Sequence, residues 1–367
     1  MNNKYVTDEQ PVHGALDFVE LARLNLSPDD IVDFSVNANP YGPSPHVRAA
    51  IAGVVLDRYP DRTCLQLRQT ILEYESAETK LSLASIVCGN GASELIWTVA
   101  RTFLTPGMKA AVIGPTFGEY VAASRVVGAV VSEVRAQPQN NFQHALDSLL
   151  AWLYSERPSL VWLCNPNNPT GIWMNKGDLF LIAELCNKIN AALVVDESYK
   201  HFVWPREAFS ALELLQEDRE ASIIVLRSLT KDFALAGVRL GYAVGSPEAI
   251  QRLTHQLPAW NVSGIAQAAG NAALADRKHL NKTLTMLALE RESFFTALRQ
   301  TKLHIVPSRT HFCLIKVGNA QELRQRLLPH GLLVRDCTSF GLPQYIRVAT
   351  RPAHEWQRLL ALLPEVL

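Results

Sequence analysis

Short apolar runs alternate with longer amphipathic stretches through the middle of the chain. The apolar runs cover residues 85–88, 110–113, 130–134, 160–164, 191–195, 223–226 and 240–244. They are rich in leucine and β-branched residues and lack strict polar alternation, which is typical of strands buried on both faces. Strands separated by helical stretches predict an α/β fold with a mainly parallel, seven-stranded sheet and helices on both sides.

The pattern changes near residue 276. A helical pattern runs from there to about residue 300, and strand-like runs follow at 311–317, 332–335 and 345–350. A helix over residues 320–328 separates the first two of these strands, and Gly331 is suited to end a helical segment. We therefore predict a smaller α+β domain after the large one.

Composition narrows the class of protein. The chain has 367 residues, of which 48% are hydrophobic, enough for about two domains with substantial cores. Lysine plus arginine and aspartate plus glutamate both total 35, so the formal net charge is zero. This balance gives no electrostatic reason to expect binding to nucleic acid or to an anionic membrane.

The cysteine and histidine positions and the N-terminal segment limit the class of protein further. The six cysteines form no C-x-x-C pair and the histidines show no metal-site spacing, so we predict neither a disulfide framework nor a metal. The sequence has no signal-peptide core and no apolar run of about 18 residues. We therefore expect a cytoplasmic protein.

Polar clusters follow three of the predicted strands. They are residues 165–171 (NPNNPTG), 196–199 (DESY) and 227–231 (RSLTK). The carboxyl ends of parallel strands meet at one edge of an α/β sheet, and ligands bind there. The sequence thus predicts a ligand site at this edge.

Lys231 is the candidate nucleophile of this site. A lysine forms a Schiff base only when neutral, so burial or nearby positive charge must lower its pKa from the usual ~10.4. Pyridoxal phosphate (PLP) forms such a link, and its ring accepts electrons only while a carboxylate keeps the pyridine nitrogen protonated. Asp196 is our candidate for that carboxylate. Lys200 is a rival lysine, but its neighbours offer no comparable hydroxyl and arginine.

The other groups that PLP requires are also present. Asn168 and Tyr199 offer hydrogen-bond donors for the phenolic oxygen of the ring. Ser228 offers a hydroxyl for the phosphate, and Arg239 offers a cation. These four residues complete the predicted cofactor site around the lysine.

A glycine-containing loop supplies the expected backbone amides. Residues 89–93 (GNGAS) lead into the amphipathic run 94–104, which predicts a helix that begins near Gly91, Ala92 and Ser93. Phosphate is favoured at a helix N-terminus. The loop lacks the third glycine of the dinucleotide fingerprint, so we interpret it as a phosphate site and not an NAD site.

The chain resembles the fold type I PLP enzymes, specifically the histidinol-phosphate aminotransferase-like branch of the class I/II aminotransferase superfamily. The ordered residues that carry the resemblance are Asn168, Asp196, Tyr199, Ser228, Lys231, Arg239 and Arg347. It implies a large PLP-binding domain over residues 45–275 and a discontinuous small domain of residues 1–44 and 276–367. It also implies that Lys231, Asp196 and Tyr199 are the catalytic residues.

The resemblance assigns roles to three further residues. Phe117 takes the position of the aromatic ring that stacks on the cofactor. Tyr59, within residues 58–61 (RYPD), takes the position of a tyrosine that reaches the cofactor phosphate of the neighbouring subunit. This implies a homodimer with active sites at the subunit interface. Arg347 takes the position that binds the substrate carboxylate.

Within the branch, the substrate-side motifs are similar to those of L-threonine O-3-phosphate decarboxylases of cobalamin biosynthesis. The motifs are residues 13–14 (HG), 33–40 (DFSVNANP), 260–262 (WNV) and 335–342 (RDCTSFGL). Ala15 departs from them, because those decarboxylases often carry a second glycine there. The candidate substrate-binding residues are His13, Asn37, Asn168, Arg335 and Arg347. For two of these residues, His13 and Arg335, the sequence is also consistent with no role in substrate binding.

The resemblance implies a PLP-dependent lyase that decarboxylates L-threonine O-3-phosphate to (R)-1-aminopropan-2-ol O-2-phosphate. The alternative is an aminotransferase that acts on histidinol phosphate or a related amine with 2-oxoglutarate. The two reactions differ in which substrate bond is oriented for cleavage, and motifs do not specify that orientation. A third hypothesis is a non-catalytic protein that has the same fold. The complete set of lysine, aspartate and arginine argues against it.

Overall fold

The computed structural model describes residues 14–75, 81–205, 209–216 and 223–367. The strands are β1 Val32–Asp33, β2 Ile86–Gly89, β3 Lys109–Gly114, β4 Val130–Arg135, β5 Leu160–Cys164, β6 Ala192–Asp196, β7 Ile223–Ser228, β8 Gly241–Gly245, β9 His304–Ile305, β10 Phe312–Lys316, β11 Leu332–Leu333, β12 Arg335–Asp336 and β13 Tyr345–Ala349. The α-helices are α1 Phe18–Arg23, α2 Pro45–Ala52, α3 Leu65–Glu75, α4 Gly91–Phe103, α5 Glu119–Val126, α6 Leu146–Glu156, α7 Lys176–Lys188, α8 Pro247–Thr254, α9 Gly264–Ala275, α10 Arg277–Arg299, α11 Ala320–Leu327 and α12 Ala353–Val366.

A seven-stranded sheet forms the centre of the molecule, with strand order β2-β8-β7-β6-β5-β3-β4. The neighbouring strands from β7 to β4 are parallel, whereas β8 runs antiparallel to both β2 and β7. Each strand overlaps the apolar run that predicted it. The expected α/β fold with a mainly parallel sheet is confirmed.

Both faces of this sheet are buried. In β5, Val161 and Leu163 pack into one apolar core with side chains of α3 and α7. The alternate residues Leu160 and Trp162 pack into a second core with side chains of α4 and α5. Burial on both sides explains why the strand sequences are apolar throughout and do not alternate.

A second sheet contains β12, β13, β10 and β9 in that order, with all neighbours antiparallel. Side chains of α10, α11 and α12 pack with it in a separate core. The prediction of one strand over residues 332–335 was wrong, because the chain changes sheets at Val334. Leu332 and Leu333 pair in parallel with β1, whereas β12 pairs with β13. An apolar run does not reveal which strand will be its partner.

The structure also bears on membrane spans, disulfide bonds and metal sites. Over the described residues, the helices are all too short or too polar to span a bilayer. All six cysteines are buried and free of disulfides. No cluster of three or more potential metal ligands occurs in the part of the chain that the structure describes.

Candidate active site

A cavity of about 450 Å³ lies where β5, β6 and β7 end. The predicted site residues that line it are Asn37, Ala92, Ser93, Phe117, Asn168, Asp196, Tyr199, Ser228, Lys231, Arg239, Arg335 and Arg347. These residues come from both sheets and from the start of α4. The fold therefore brings distant sequence segments to one cavity, at the sheet edge where the strand pattern predicted a site.

Lys231 lies in the turn after β7, and its carbonyl oxygen accepts a hydrogen bond from the Asn39 N–H at 2.8 Å. Burial, followed by the positive charges of Arg347 and Arg239, lowers the pKa of Lys231 to about 8. The Asp196 carboxylate opposes this shift. About a tenth of the Lys231 amine is then neutral at pH 7, against less than ~0.1% of a free lysine. The amine is suited to act as a nucleophile.

Asp196 ends β6 and accepts hydrogen bonds on both carboxylate oxygens. Its Oδ1 accepts from the Ser198 N–H at 2.9 Å and from the Ser198 hydroxyl at 2.5 Å. Its Oδ2 accepts from Tyr120 Oη at 2.7 Å. The residue is 4% exposed, and these donors stabilise its negative charge inside the protein. A carboxylate has about four lone-pair positions, so one more donor can be accommodated.

Arg347, in β13, is held by uncharged acceptors. Its Nη1 donates to Asn168 Oδ1, and its Nη2 donates to the Ser35 carbonyl oxygen. Its Nε is buried and has no acceptor within the described residues, and burial lowers the pKa of the guanidinium. A buried cation without a counter-charge is costly. The arrangement favours an anionic ligand that pairs with Arg347.

Arg335 lies directly opposite Arg347 in the β12–β13 ladder, so their side chains extend from the same face. Arg335 Nη2 donates to Ser339 Oγ at 2.7 Å. Burial and then the charge of Arg347 lower the pKa of Arg335 to about 10. Asn37 lines the same cavity, and its side-chain amide is buried without a hydrogen-bond partner among the described residues. Two guanidinium groups and an unpartnered amide suit a polar, anionic ligand.

The start of α4 and the β7 turn surround the position expected for the cofactor phosphate. The helix begins at Gly91, so the amides of residues 92–93 lie in its first turn, where an anion is favoured. Ser228 Oγ lies 2.7 Å from Thr230 Oγ1. Arg239 approaches Gly91 so closely that a β-carbon on the glycine would lie 2.8 Å from Nη2. A hydroxyl pair, a cation and helix amides thus meet on one side of the cavity.

Two aromatic side chains complete the lining. Tyr199 packs edge-on against Phe312, with 5.1 Å between ring centroids, and burial raises the pKa of Tyr199 to about 12. Its phenol is therefore neutral and can donate a hydrogen bond at ordinary pH. Phe117 contacts the edge of Tyr120, with 5.8 Å between centroids.

Two of the described residues that were predicted for the site do not line the cavity, and a third predicted residue is not described. Gly91 is next to the lining residue Ala92. Tyr59 is 81% exposed and packs on Trp260 with ring centroids 4.7 Å apart, away from the cavity of its own chain. His13 lies outside the described residues. The role predicted for Tyr59 at a cofactor phosphate would therefore need a second subunit.

Five polar cavity residues had no role in the sequence prediction, namely Ser35, Tyr120, Ser198, Thr230 and Ser339. Four of them lie inside motifs that the sequence analysis singled out, and Tyr120 lies three residues after Phe117 in α5. Their position in or near these motifs was the only sign of a role that the sequence offered, because serine, threonine and tyrosine there are equally typical of turns and caps.

The residues present fit PLP. The cavity contains a lysine with a lowered pKa, a buried carboxylate with room for another donor, and a helix N-terminus beside an arginine. Within the ranges that the structure describes, the buried Asn37 amide and Arg347 Nε have no hydrogen-bond partner. Each is a group that a charged, phosphorylated ligand and its bound substrate would satisfy.

Comparison with known families defines the class. Residues 29–363 match the family described as aminotransferase class I and II. The chain belongs to this family, with the fold type I architecture and with PLP as the cofactor. The predicted family, fold and cofactor are confirmed.

Individual relatives refine the comparison. The chain is 32% identical to a histidinol-phosphate aminotransferase of Caldicellulosiruptor saccharolyticus, covering 93% of each chain. It is 35% identical to a threonine-phosphate decarboxylase of Salmonella typhimurium, covering 94% of this chain and 93% of that one. A histidinol-phosphate aminotransferase of Sinorhizobium meliloti, solved in complex with pyridoxal-5'-phosphate, superposes with a TM-score of 0.80 at 28% identity, covering 90% and 89%. The chain is therefore similar both to histidinol-phosphate aminotransferases and to a threonine-phosphate decarboxylase.

Proposed function

We propose that this chain is a PLP-dependent enzyme acting on a small phosphorylated amine, and that it transaminates histidinol phosphate or a related amine with 2-oxoglutarate. The observation that carries the proposal is the Lys231 amine, with its pKa lowered to about 8, in one cavity with the Asp196 carboxylate. Two of the three relatives described above are histidinol-phosphate aminotransferases, which favours transamination over the decarboxylation expected from the sequence motifs.

The proposed residue roles follow from their chemistry. Lys231 would hold the cofactor covalently. Once a substrate amine has taken its place, its Nζ would remove the proton from the substrate α-carbon and deliver it to the cofactor side, as transfer of the amino group requires. Asp196 holds the ring nitrogen, and Asn168 and Tyr199 hold the phenolic oxygen. The chemistry that PLP supplies when bound is an electron sink for the pair released at that carbon.

The phosphate of the cofactor would be held by Ser228, by Arg239 and by the amides of residues 91–93 at the start of α4. Phe117 would cover one face of its ring. Arg335, Arg347 and Asn37 line the same cavity and take no part in these contacts, so they remain for the substrate. In transamination, 2-oxoglutarate brings two carboxylates to the two guanidinium groups.

Decarboxylation of L-threonine O-3-phosphate is the second candidate. The specific observation in its favour is the register of Arg335 with Arg347, because a short substrate with a carboxylate and a phosphate has an anion for each guanidinium. Identity of 35% to the Salmonella enzyme adds support. In this reaction the bond to the carboxylate breaks, carbon dioxide leaves, and Lys231 Nζ supplies the proton that replaces it.

We also propose that the active enzyme is a homodimer. Tyr59 and Trp260 form an exposed aromatic pair near the exposed apolar residues Val55 and Leu56 in the sequence. Exposed aromatic side chains are enriched at protein interfaces. A second copy of the chain that covers this pair would bring Tyr59 to the cofactor phosphate of its partner.

One paired assay tests the reaction. The purified holoenzyme is incubated either with L-threonine O-3-phosphate alone or with histidinol phosphate plus 2-oxoglutarate, and carbon dioxide and glutamate are measured in both mixtures. Glutamate formation that requires both added compounds supports the aminotransferase. Sustained release of carbon dioxide without a keto acid supports the decarboxylase. Absence of both products overturns both candidates, and Lys231→Ala protein is the blank.

A further inference from the structure

Tyr120 is a cavity residue that the proposed reaction does not yet use. It lies in α5, is 1% exposed, and donates from Oη to Asp196 Oδ2 at 2.7 Å. With the two hydrogen bonds from Ser198 to Oδ1, three donors converge on one buried carboxylate.

The phenol is held rigidly. Its ring stacks on Trp162 with 5.2 Å between centroids and 12° between planes. Trp162 Nε1 donates to Ser124 Oγ at 3.0 Å, and Ser124 Oγ donates to the Tyr120 carbonyl oxygen at 2.7 Å. Burial, followed by the negative charge of Asp196, raises the pKa of Tyr120, so the phenol keeps its proton and remains a donor.

The other titratable groups around Asp196 do not replace this donor. Burial raises the pKa of Cys164, and its Sγ donates to the Pro166 carbonyl oxygen at 3.2 Å and not to Asp196. Burial raises the pKa of Tyr199 to about 12, and Tyr199 lines the cavity beside Asp196. Lys231 interacts with Asp196 electrostatically, but covalent attachment of the cofactor uses that amine. Among the described residues, the side-chain hydroxyls that donate to Asp196 are those of Tyr120 and Ser198.

We propose that Tyr120 is a positioning residue that keeps the proton shared by Asp196 and the cofactor on the ring nitrogen. A proton between a carboxylate and a pyridine nitrogen moves toward the stronger base. Hydrogen bonds donated to the carboxylate stabilise its negative charge and weaken it as a base. The proton then stays on the ring, where it maintains the electron sink. This inference rests on the proposed role of Asp196 as the partner of the ring nitrogen.

The test is the ¹⁵N chemical shift of bound PLP labelled at the ring nitrogen, with free PLP in acid and in alkali as references. In Tyr120→Phe, which keeps the ring and its packing, we expect the shift to move toward the unprotonated position. One hydrogen bond to a charged group corresponds to a change of about tenfold in the proton equilibrium. Ser198→Ala removes a donor from the other oxygen and should move the shift in the same direction.

Tyr242→Phe is the matched control. Tyr242 is also buried and donates to a buried carboxylate, Glu75 Oε1, at 2.5 Å, but it does not line the cavity. Its removal should leave the nitrogen shift unchanged. If the shift changes in Asp196→Asn but stays unchanged in both Tyr120→Phe and Ser198→Ala, the inference about Tyr120 is overturned while the role proposed for Asp196 stands. An unchanged shift in Asp196→Asn as well would overturn the role proposed for Asp196.

Discussion

Gly91 and Arg239 lie so close together that a β-carbon on residue 91 would be 2.8 Å from Nη2 of the arginine. Gly91 also has a φ of +78°, which side chains rarely adopt. Gly91→Ala should therefore displace the guanidinium and strain the start of α4, at a cost of about 1–2 kcal/mol for the backbone alone. We expect PLP to bind roughly tenfold or more weakly in a fluorescence titration of the apoprotein.

Gly107→Ala is the control for this substitution. Gly107 has a φ of +86°, but no atom lies within 4 Å of the position that its β-carbon would take. It carries the same backbone strain without the contact to Arg239. Equal losses of PLP affinity in the two variants would show that backbone strain, and not the arginine, accounts for the effect.

Lys231→Ala should remove the covalent link to PLP. After borohydride reduction and proteolysis, mass spectrometry of the wild-type protein should find the cofactor mass on the peptide that contains Lys231. The variant should show no modified lysine. Lys200→Ala is the control because Lys200 is the rival lysine of the sequence, and a modified Lys200 in either protein would contradict the assignment.

Lys231→Met should stabilise the apoprotein at neutral pH. The pKa of Lys231 is lowered from 10.5 to about 8 on folding, so between those pH values the folded chain binds fewer protons than the unfolded chain. Stability of the wild-type apoprotein then rises with pH across that window, and below about pH 8 the buried amine is destabilising. We expect a gain of about 1–3 kcal/mol in the free energy of unfolding at pH 7.

Urea unfolding at pH 7 and pH 9.5 measures this effect. The difference between wild-type and Lys231→Met protein should be smaller at the higher pH, because the wild-type amine is mostly neutral there. Lys200→Met, at a residue outside the cavity lining, controls for loss of a lysine. A difference that does not change with pH would contradict a lowered pKa at Lys231.

Arg347→Ala should weaken substrate binding far more than cofactor binding. The guanidinium has a buried Nε without an acceptor, and a substrate carboxylate would form charge-assisted hydrogen bonds with it. We expect KM for the carboxylate substrate to rise about 100-fold, which corresponds to ~3 kcal/mol. The affinity of the Arg347→Ala protein for PLP should differ from that of the wild-type protein by no more than about twofold.

The nearby Arg351→Ala provides a comparison, because Arg351 is half-buried and pairs with Glu355 at 2.6 Å. It should leave KM unchanged. Parallel losses of substrate and cofactor affinity in Arg347→Ala would indicate damage to the fold, since Asn168 and Ser35 also lose a donor.

Subunit mixing tests the proposed role of Tyr59. If Tyr59 serves the partner's site, a dimer of one Lys231→Ala chain and one Tyr59→Ala chain contains one site with both residues intact. Random reassociation of equal amounts should then restore about a quarter of wild-type activity from two inactive parents. Activity that stays at the level of the parents after mixing would place Tyr59 outside the partner's site.

Much of this architecture was predictable from the sequence. Strands buried on both faces have apolar runs, and β5 coincides with the run predicted for it at residues 160–164. The clusters that contain Asn168, Asp196 and Lys231 lie at the ends of such strands, so a parallel sheet brings them together. Long-range pairing was not predictable. The antiparallel pairing of β8 with β2, and the pairing of Leu332 and Leu333 with β1, join segments that are far apart in sequence.

Hydrogen bonds between side chains were also beyond prediction. Tyr120 and Asp196 are 76 residues apart, and an aromatic residue in an amphipathic helix is usually part of the core. The contact exists because α5 packs on the same face of the sheet as Trp162. Only the assembled layers reveal that the phenol reaches a carboxylate.

The parallel pairing of Val32 with Leu332 joins positions 300 residues apart, and both Asn37 and Arg347 follow soon after these strands. Contacts this distant delay the end of folding, because the chain must close a very long loop before they form. During synthesis, the central sheet can assemble while the C-terminal strands are still missing. We therefore expect a nascent chain to place Lys231 in the central sheet before Arg335 and Arg347 join it, so the cavity is complete only after the C-terminal strands have paired.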